Sequence, residues 1–411
     1  MDWKFVKVLI VSHMFPRVDY PMYGTFVRDA ALALQELGVE VRVCAPLQHI
    51  PWPISLLKRY QAGERDPTFQ DLLPTVRIRW LTFPKRFLET ALRRHAYRGL
   101  LKAKTALFGK SEPDLIHANN LFPDGYACIK LARLLGKPLV VTSHGDDNRV
   151  HVKHWGRRKA VLESAQAASR IICVSDFLRR ELIEQGLNAG KMMTVHNGVD
   201  LHRIYKGPET QRIRERFGHR SIILTVGHMV HFVKGFDITI QAFARMLQKK
   251  PRCDAVLVFV GGGVERGSLE RLVATAGLHE KVFFEGAKRP EETMHYMSAA
   301  DIYCMPSWYE AFGIVYLEAM MHGKPVIAVQ GQGISEVIEH GKTGLLVPPK
   351  DVESTCEALE LLLEDERLRA QIGAAARRLV HANYSQRHSA ERTLRVFNDA
   401  LGAPTAAGFG R

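Results

Sequence analysis

Short runs of continuous apolar residues alternate along this chain with longer stretches in which apolar positions recur every three or four residues. Runs of the first kind suit strands buried on both faces, and stretches of the second kind suit helices that bury one stripe. Phe5 to Val11 opens the pattern as a strand, a helix follows from about Phe26 to Leu37 closed by Gly38, and Glu40 to Ala45 reads as a second strand. Strand, helix and strand in that order predict parallel neighbours joined by a right-handed crossover. Asp114 to Ala118 and Pro138 to Thr142 continue the series around a helix from Gly125 to Leu135, and Ile171 to Val174 extends it.

The turn-rich Val195-His196-Asn197-Gly198-Val199-Asp200 interrupts the series, which then restarts. Ile222 to Val226, Ala255 to Val260, Ala300 to Cys304 and Lys324 to Val329 read as strands, with a helix from Asp237 to Leu247. The expected fold class is therefore α/β, with two consecutive Rossmann-like doubly wound domains whose strand-end loops face a cleft. We expect the first domain over residues 1–198, the second over 199–384, a helix at 385–402 crossing back to the N-terminal domain, and a disordered tail at 403–411.

One stretch organises this frame. Met305 to Met320 reads MPSWYEAFGIVYLEAM, turn chemistry followed by an apolar segment of helical period from Ile314. Phe312, Gly313 and Ile314 stand where the first amides of a helix lack partners, so they can meet an anion. Glu310 lies on the loop and Glu318 about one and a half turns into the helix, so each can serve a different end of one ligand. The alternative is an ordinary strand-to-helix junction with solvated acids. In the first half, Pro138 to Thr142 runs straight into Ser143-His144-Gly145-Asp146-Asp147, placing a histidine and two aspartates beyond the carboxyl end of a strand. Gly261-Gly262-Gly263 lacks the G-x-G-x-x-G spacing and weakly supports a dinucleotide site.

Composition is that of a globular protein, with 46% apolar and 24% charged residues over 411 positions. The net charge of +14 is uneven, since residues 1–198 carry 30 Lys and Arg against 18 Asp and Glu. Residues 76–110 hold ten basic side chains and one acid, Glu89, and Leu88, Ala91, Leu92, Ala96 and Leu100 recur near helical spacing after Trp80, Phe83 and Phe87. This composition fits an interfacial helix on an anionic membrane surface, or a solvated basic face over a core stripe. No nucleic-acid-binding motif accompanies the charge. Six scattered cysteines without metal-ligand spacing read as reduced thiols, and with no signal peptide or spanning helix they lead us to expect a cytoplasmic protein, peripheral at most on the inner face of the membrane.

Taken together, the motifs resemble the GT-B-fold retaining glycosyltransferases of family 4. The most specific part is Glu310-Ala311-Phe312-Gly313-Ile314-Val315-Tyr316-Leu317-Glu318, similar to the family's E-x7-E element. Gly24-Thr25-Phe26-Val27-Arg28, Pro123-Asp124-Gly125, His144-Gly145-Asp146-Asp147, Lys234-Gly235 and Gly323-Lys324-Pro325-Val326 support it in order. The resemblance implies transfer of a hexose, with retention, from a UDP- or GDP-linked nucleotide sugar to an acceptor glycan, lipid-linked sugar or small molecule, without a cofactor or bound metal. It implies that Glu318 bonds the ribose, Glu310 the donor sugar, and Lys234 and the amides of Phe312, Gly313 and Ile314 the diphosphate. It places His144 near the reacting sugar with Asp147 in the same loop, and lets Gly24 bring the first loop over the phosphates.

The chain departs from the family pattern at Gly227-His228-Met229, where an arginine usually precedes the lysine, so in donor binding either His228 replaces that arginine or the phosphate grip rests on Lys234 and the backbone amides. A sugar-phosphate synthase or phosphorylase of the same fold, and a catalytically silent nucleotide-sugar or membrane-binding scaffold, stay open as alternatives.

Overall fold

The computed structural model describes residues 6–17, 23–49, 72–81, 89–230 and 232–402. The chain divides into two compact units, Met1–His196 with Gln386–Arg411, and Asn197–Ser385. The expected tail at 403–411 and the aromatic residues Phe83 and Phe87 lie outside the described residues.

In the first unit the strands are β1 (Lys7–Val11), β2 (Glu40–His49), β3 (Thr75–Leu81), β4 (Leu115–Asn119), β5 (Leu139–Ser143), β6 (Arg170–Cys173) and β7 (Met192–Thr194). They form one sheet in the order β3-β2-β1-β4-β5-β6-β7, with every pair parallel. The second unit holds β8 (Ser221–Val226), β9 (Ala255–Val260), β10 (Val282–Gly286), β11 (Ile302–Cys304), β12 (Val326–Val329) and β13 (Leu345–Val347). Their order is β10-β9-β8-β11-β12-β13, again parallel throughout. Each sheet thus reverses its winding once, between β1 and β4 in one unit and between β8 and β11 in the other. In such sheets ligands sit beyond the carboxyl ends of the strands at that reversal.

The apolar runs explain the central strands, which are buried on both faces: Ala255–Val260 is buried at every position, and so is Val326–Val329. Leu9, Val11, Ile116, Ala118 and Val141 pack on one face of the first sheet, and Val8, Ile10, Val43 and Val140 on the other. The helix Gln386–Ala400 belongs to the first unit, where Ala390, Leu394 and Phe397 join that second face and Arg170 bonds Asp399. Four strands escaped the sequence pattern, namely β3, β7, β10 and β13. β7 and β13 have three residues each, too short for a period to register. β3 is an edge strand with only Trp80 buried.

The basic stretch 76–110 differs from the single interfacial helix expected. Thr75–Leu81 is strand β3, and after it come two helices, Glu89–His95 and Tyr97–Phe108. Leu100, Ala103, Leu107 and Phe108 face the first unit's core. Arg93 is 2% exposed, with its guanidinium 4.5 Å from the centre of the Trp80 ring and Nη2 donating to the Leu81 carbonyl. A desolvated contact of this kind stabilises by about 2 kcal/mol. Arg93 is therefore a structural cation, while Arg94 and Arg98 are exposed. No helix among the described residues is long and apolar enough to cross a membrane. All six cysteines are free thiols, five of them buried.

In the second unit the helix Ile314–Met321, which carries Glu318, is braced by the helix Glu366–Asn383. A Cβ on Gly373 would lie 2.1 Å from the Gly323 carbonyl oxygen, an approach that only glycine permits. Gly373→Ala is expected to destabilise the second unit by about 1–3 kcal/mol. The measurement is the denaturant midpoint assigned to that unit, and an unchanged midpoint contradicts the packing described.

Candidate functional site

In the second unit, three strand-end loops converge. The loop after β8 runs through Gly227, His228 and Lys234 into the helix Phe236–Lys249. The loop after β11 carries Pro306 to Gly313, and the loop after β12 carries Gly331 to Gly333. Lys234 Nζ lies 2.6 Å from Glu310 Oε2, joining the first two loops at the sheet's reversal point. Ser307 Oγ and the Trp308 amide both donate to the Val233 carbonyl, at 2.9 and 3.0 Å, so the backbones that hold the ion pair are tied directly. The third loop fixes Glu310 from the other side. Gln332 Oε1 accepts from the Glu310 amide at 3.0 Å, and the Gly333 amide donates to the Glu310 carbonyl at 3.0 Å.

Gly313 caps the helix Ile314–Met321 with φ 90°, a left-handed conformation that turns the chain sharply into the helix. A Cβ there would strike the Tyr316 ring at 2.6 Å. Phe312 is buried beneath the turn, whereas Ile314 is half-buried and its amide is among those a helix start leaves without an intrahelical acceptor. Tyr303 and Tyr316 form the floor, their rings 5.4 Å apart, with Tyr303 Oη donating to the Val226 carbonyl at 3.2 Å and Tyr316 Oη to that of Met305. Glu318 is half-buried on the first turns of the same helix. His228 keeps solvent access on one side, and partial desolvation of its ring followed by the nearby Lys234 charge lowers its pKa, which favours the neutral imidazole at pH 7.

The glycine run after β9 has a packing explanation. A Cβ on Gly261 would sit 2.0 Å from the Gly227 carbonyl oxygen, and one on Gly263 2.3 Å from that of Met229. These glycines let the β9 loop support the β8 loop from below.

In the first unit the loops after β1, β4 and β5 meet. Asp147 is fully buried, and its carboxylate accepts from the Leu121 amide at 2.9 Å, the Phe122 amide at 3.0 Å and Ser143 Oγ at 2.9 Å. Burial raises its pKa to about 7 against the pull of those three bonds. Its position makes it the anchor of the 121–125 turn. The neighbouring Asp146 is exposed. His144 Nε2 lies 3.0 Å from Asn119 Oδ1, its amide donates to Asn120 Oδ1 at 3.3 Å, and its ring stands edge-on to Phe26 at 4.9 Å. Burial, followed by the charges of His117 and His13, pushes His144 down to about 3, so it too is neutral.

Gly24 caps the helix Thr25–Glu36 with φ 72°, and a Cβ on it would fall 2.3 Å from the Met14 carbonyl. The two ends of the β1 loop therefore touch through Gly24, a packing constraint that its turn position alone does not reveal.

Sequence reasoning singled out no role for His13, Asn119, Asn120 or Asp124. Asp124 is fully buried, and His13 meets it through both its amide and its ring Nδ1, the latter at 2.8 Å from Oδ2. Asp124 carried a sequence signal only as part of the Pro123-Asp124-Gly125 motif, and His13, just past the end of β1, carried none that named its partner. Among the described residues no group of three or more His, Cys, Asp or Glu side chains is arranged to hold a metal ion.

Residues 208–379 match the family model described as glycosyl transferases group 1, and residues 23–203 match that of glycosyltransferase family 4. A D-inositol 3-phosphate glycosyltransferase of Pseudarthrobacter chlorophenolicus is 27% identical over 402 residues, which cover 92% of this chain and 90% of that one. The GDP-mannose-dependent alpha-(1-6)-phosphatidylinositol monomannoside mannosyltransferase of Mycolicibacterium smegmatis is 30% identical over 272 residues, 62% of this chain and 69% of the relative. The crystal structure of Anabaena HepE in complex with UDP and glucose superposes with a TM-score of 0.73 at 20% identity, covering 96% of this chain and 100% of that one. With matches over both units and the same pair of doubly wound sheets, the chain belongs to glycosyltransferase family 4, the glycosyl transferases of group 1, and has the GT-B fold.

Proposed function

We propose that this glycosyltransferase moves a hexose, with retention, from a UDP- or GDP-linked nucleotide sugar to an acceptor hydroxyl in polysaccharide or glycolipid assembly. The observation that carries the reading is the Lys234–Glu310 pair at the reversal point of the second sheet, with Glu318 eight positions past the loop acid. In this reading Glu318 accepts from the ribose hydroxyls and Glu310 from the sugar hydroxyls. Lys234 and the amides at Gly313 and Ile314 meet the diphosphate, where their attraction grows as charge develops on the leaving oxygen. His228, being neutral, adds a hydrogen bond and no charge.

Chemically, the bond between the anomeric carbon and the phosphate oxygen breaks as the acceptor oxygen bonds that carbon from the same face. The acceptor proton passes to the leaving phosphate oxygen, so no side chain is assigned as general base, and the reaction is proposed to need no metal. The first unit carries the acceptor side. There His144 serves as a neutral hydrogen-bonding group toward the reacting sugar, and Asp147 positions its loop. UDP in the HepE crystals and GDP-mannose in the name of the mycobacterial enzyme support a nucleoside diphosphate donor and leave both bases to be tested.

We further place the protein in the cytoplasm, on the inner face of the membrane, held by the exposed basic side chains of residues 76–110. Arg94, Arg98, Lys102 and Lys110 are exposed, which supports that reading, and Arg93 takes no part in it.

Lys234→Ala is expected to lower transfer about 10²–10³-fold. Glu318→Ala is expected to weaken UDP or GDP binding by about ten-fold or more, read as lost thermal stabilisation by the nucleotide. Wild-type transfer by both variants in a screen of nucleotide sugars would remove the donor site from this place. Asp147→Asn sets an amide NH2 against one of two backbone donors, so it is expected to cost about 1–3 kcal/mol of first-unit stability while nucleotide binding persists. A variant as stable as wild type but inactive would give Asp147 a direct chemical role instead. Reversing the charge at Arg94 and Arg98 is expected to release the protein from anionic vesicles, and undiminished sedimentation with them rejects the membrane assignment.

A further inference from the structure

Asp124 has a carboxylate with no solvent exposure, and His13 supplies its polar contacts. The His13 amide approaches Oδ1 at 3.1 Å and Oδ2 at 3.3 Å, and Nδ1 approaches Oδ2 at 2.8 Å. A buried carboxylate is costly unless a hydrogen-bonded positive charge compensates it. The imidazole is the group placed to do so. Its side chain keeps 14% exposure, and Nε2 points away from Asp124 with no protein partner among the described residues. One face of the ring is thus locked and the other is offered outward, at the carboxyl end of β1, beside the sheet's reversal point.

The neighbours sharpen this arrangement. Burial alone would lower the His13 pKa, but the charge and hydrogen bond of Asp124, with the exposed Asp146 adding to them, raise it, against a smaller opposing effect from Arg93. His144, close enough to feel the His13 charge, is driven the other way. Burial also raises the Asp124 pKa, against the pull of His13, so the two histidines of one strand-end cluster are pushed in opposite directions, His13 toward its cationic form by Asp124 and His144 toward its neutral form by burial. Environments that push two like groups apart mark a division of chemical labour.

We propose that His13, locked by Asp124, is a cationic hydrogen-bond donor that recognises an anionic group, a phosphate or a carboxylate, on the acceptor. Asp124 is its positioning residue. This rests on the reading that the first unit carries the acceptor side, and it adds that the acceptor is charged. With Nδ1 held by the carboxylate, Nε2–H is left as a charge-assisted donor, which binds an anion more strongly than a neutral hydroxyl.

The test follows the ring carbon resonances of the full-length protein, labelled with 13C-histidine, during titration with inorganic phosphate and, separately, with acetate. His13 is assigned by its absence in His13→Gln. The expected result is a His13 resonance that titrates above the range of free histidine and shifts saturably with phosphate, acetate or both. In Asp124→Asn the ring is expected to be neutral at pH 7 and the anion affinity to fall about ten-fold. If neither anion moves the His13 resonance, or if Asp124→Asn leaves its titration and anion affinity unchanged, the proposal is overturned. Should Asp124→Asn fail to fold, Asp124→Glu, which keeps the charge and displaces it, is expected to weaken anion binding in the same assay, and an undiminished affinity there overturns the proposal as well. A third arm separates sources, with glycerol 3-phosphate for a soluble acceptor and phosphatidic acid vesicles for a lipid headgroup. A saturable response to either supports an anionic acceptor, and a response to neither overturns one built on glycerol phosphate. UDP and GDP stabilisation, measured on the same samples, reports the donor site alone, so its loss would count against the proposed function and leave the His13 result standing.

Discussion

The second unit of this enzyme depends on one ion pair. Lys234 and Glu310 meet at 2.6 Å, from loops more than seventy positions apart, at the single point where the second sheet reverses direction. Lys234 keeps 26% side-chain exposure and Glu310 11%, so the cost of desolvating the two charges offsets much of their attraction and the pair by itself contributes little to stability. Its value lies in geometry, because Ser307, Trp308, Gln332 and Gly333 spend their hydrogen bonds on holding the two backbones so that the pair can form. A site built this way keeps a cation and an anion poised at one spot, and a ligand with a diphosphate at one end and sugar hydroxyls at the other can engage both.

The first unit solves the same problem with buried carboxylates. Asp147 ties the β5 loop to the β4 turn through two backbone amides, and Asp124, presented by that turn, locks His13 of the β1 loop. The three loops at the reversal point are thus linked in series by two side chains that solvent never reaches. Both are expensive to desolvate, and both are fully hydrogen-bonded, which is the condition under which such groups specify one loop arrangement over others. His144 then inherits its place and its neutral state from a cluster whose parts are distant in the chain.

The basic stretch shows how a sequence pattern can be shared by two fates. Leu100, Ala103 and Leu107 repeat with helical period because they face the core, and the same period would serve a helix lying on a membrane. Arg93 resolved part of the ambiguity, since its guanidinium stacks on Trp80 and donates to Leu81, contacts that exist only once β3 and the following helix are packed. Strands of three residues, such as β7 and β13, were invisible for a simpler reason. Their pairing is decided by neighbours across the sheet, and three residues cannot display a period.

By itself the sequence determined the two doubly wound units, the central strands and the E-x7-E loop and helix. These rest on local periodicity, turn residues and spacing, all of which are written in consecutive positions. Tertiary structure alone decided that Lys234 meets Glu310, that Asp147 faces backbone amides, that Gly261 and Gly263 serve close packing, and that His13 rests on Asp124. Each of these joins residues from different strand-end loops, and the distance between such loops is set by the order of strands in the sheet, which no local pattern encodes.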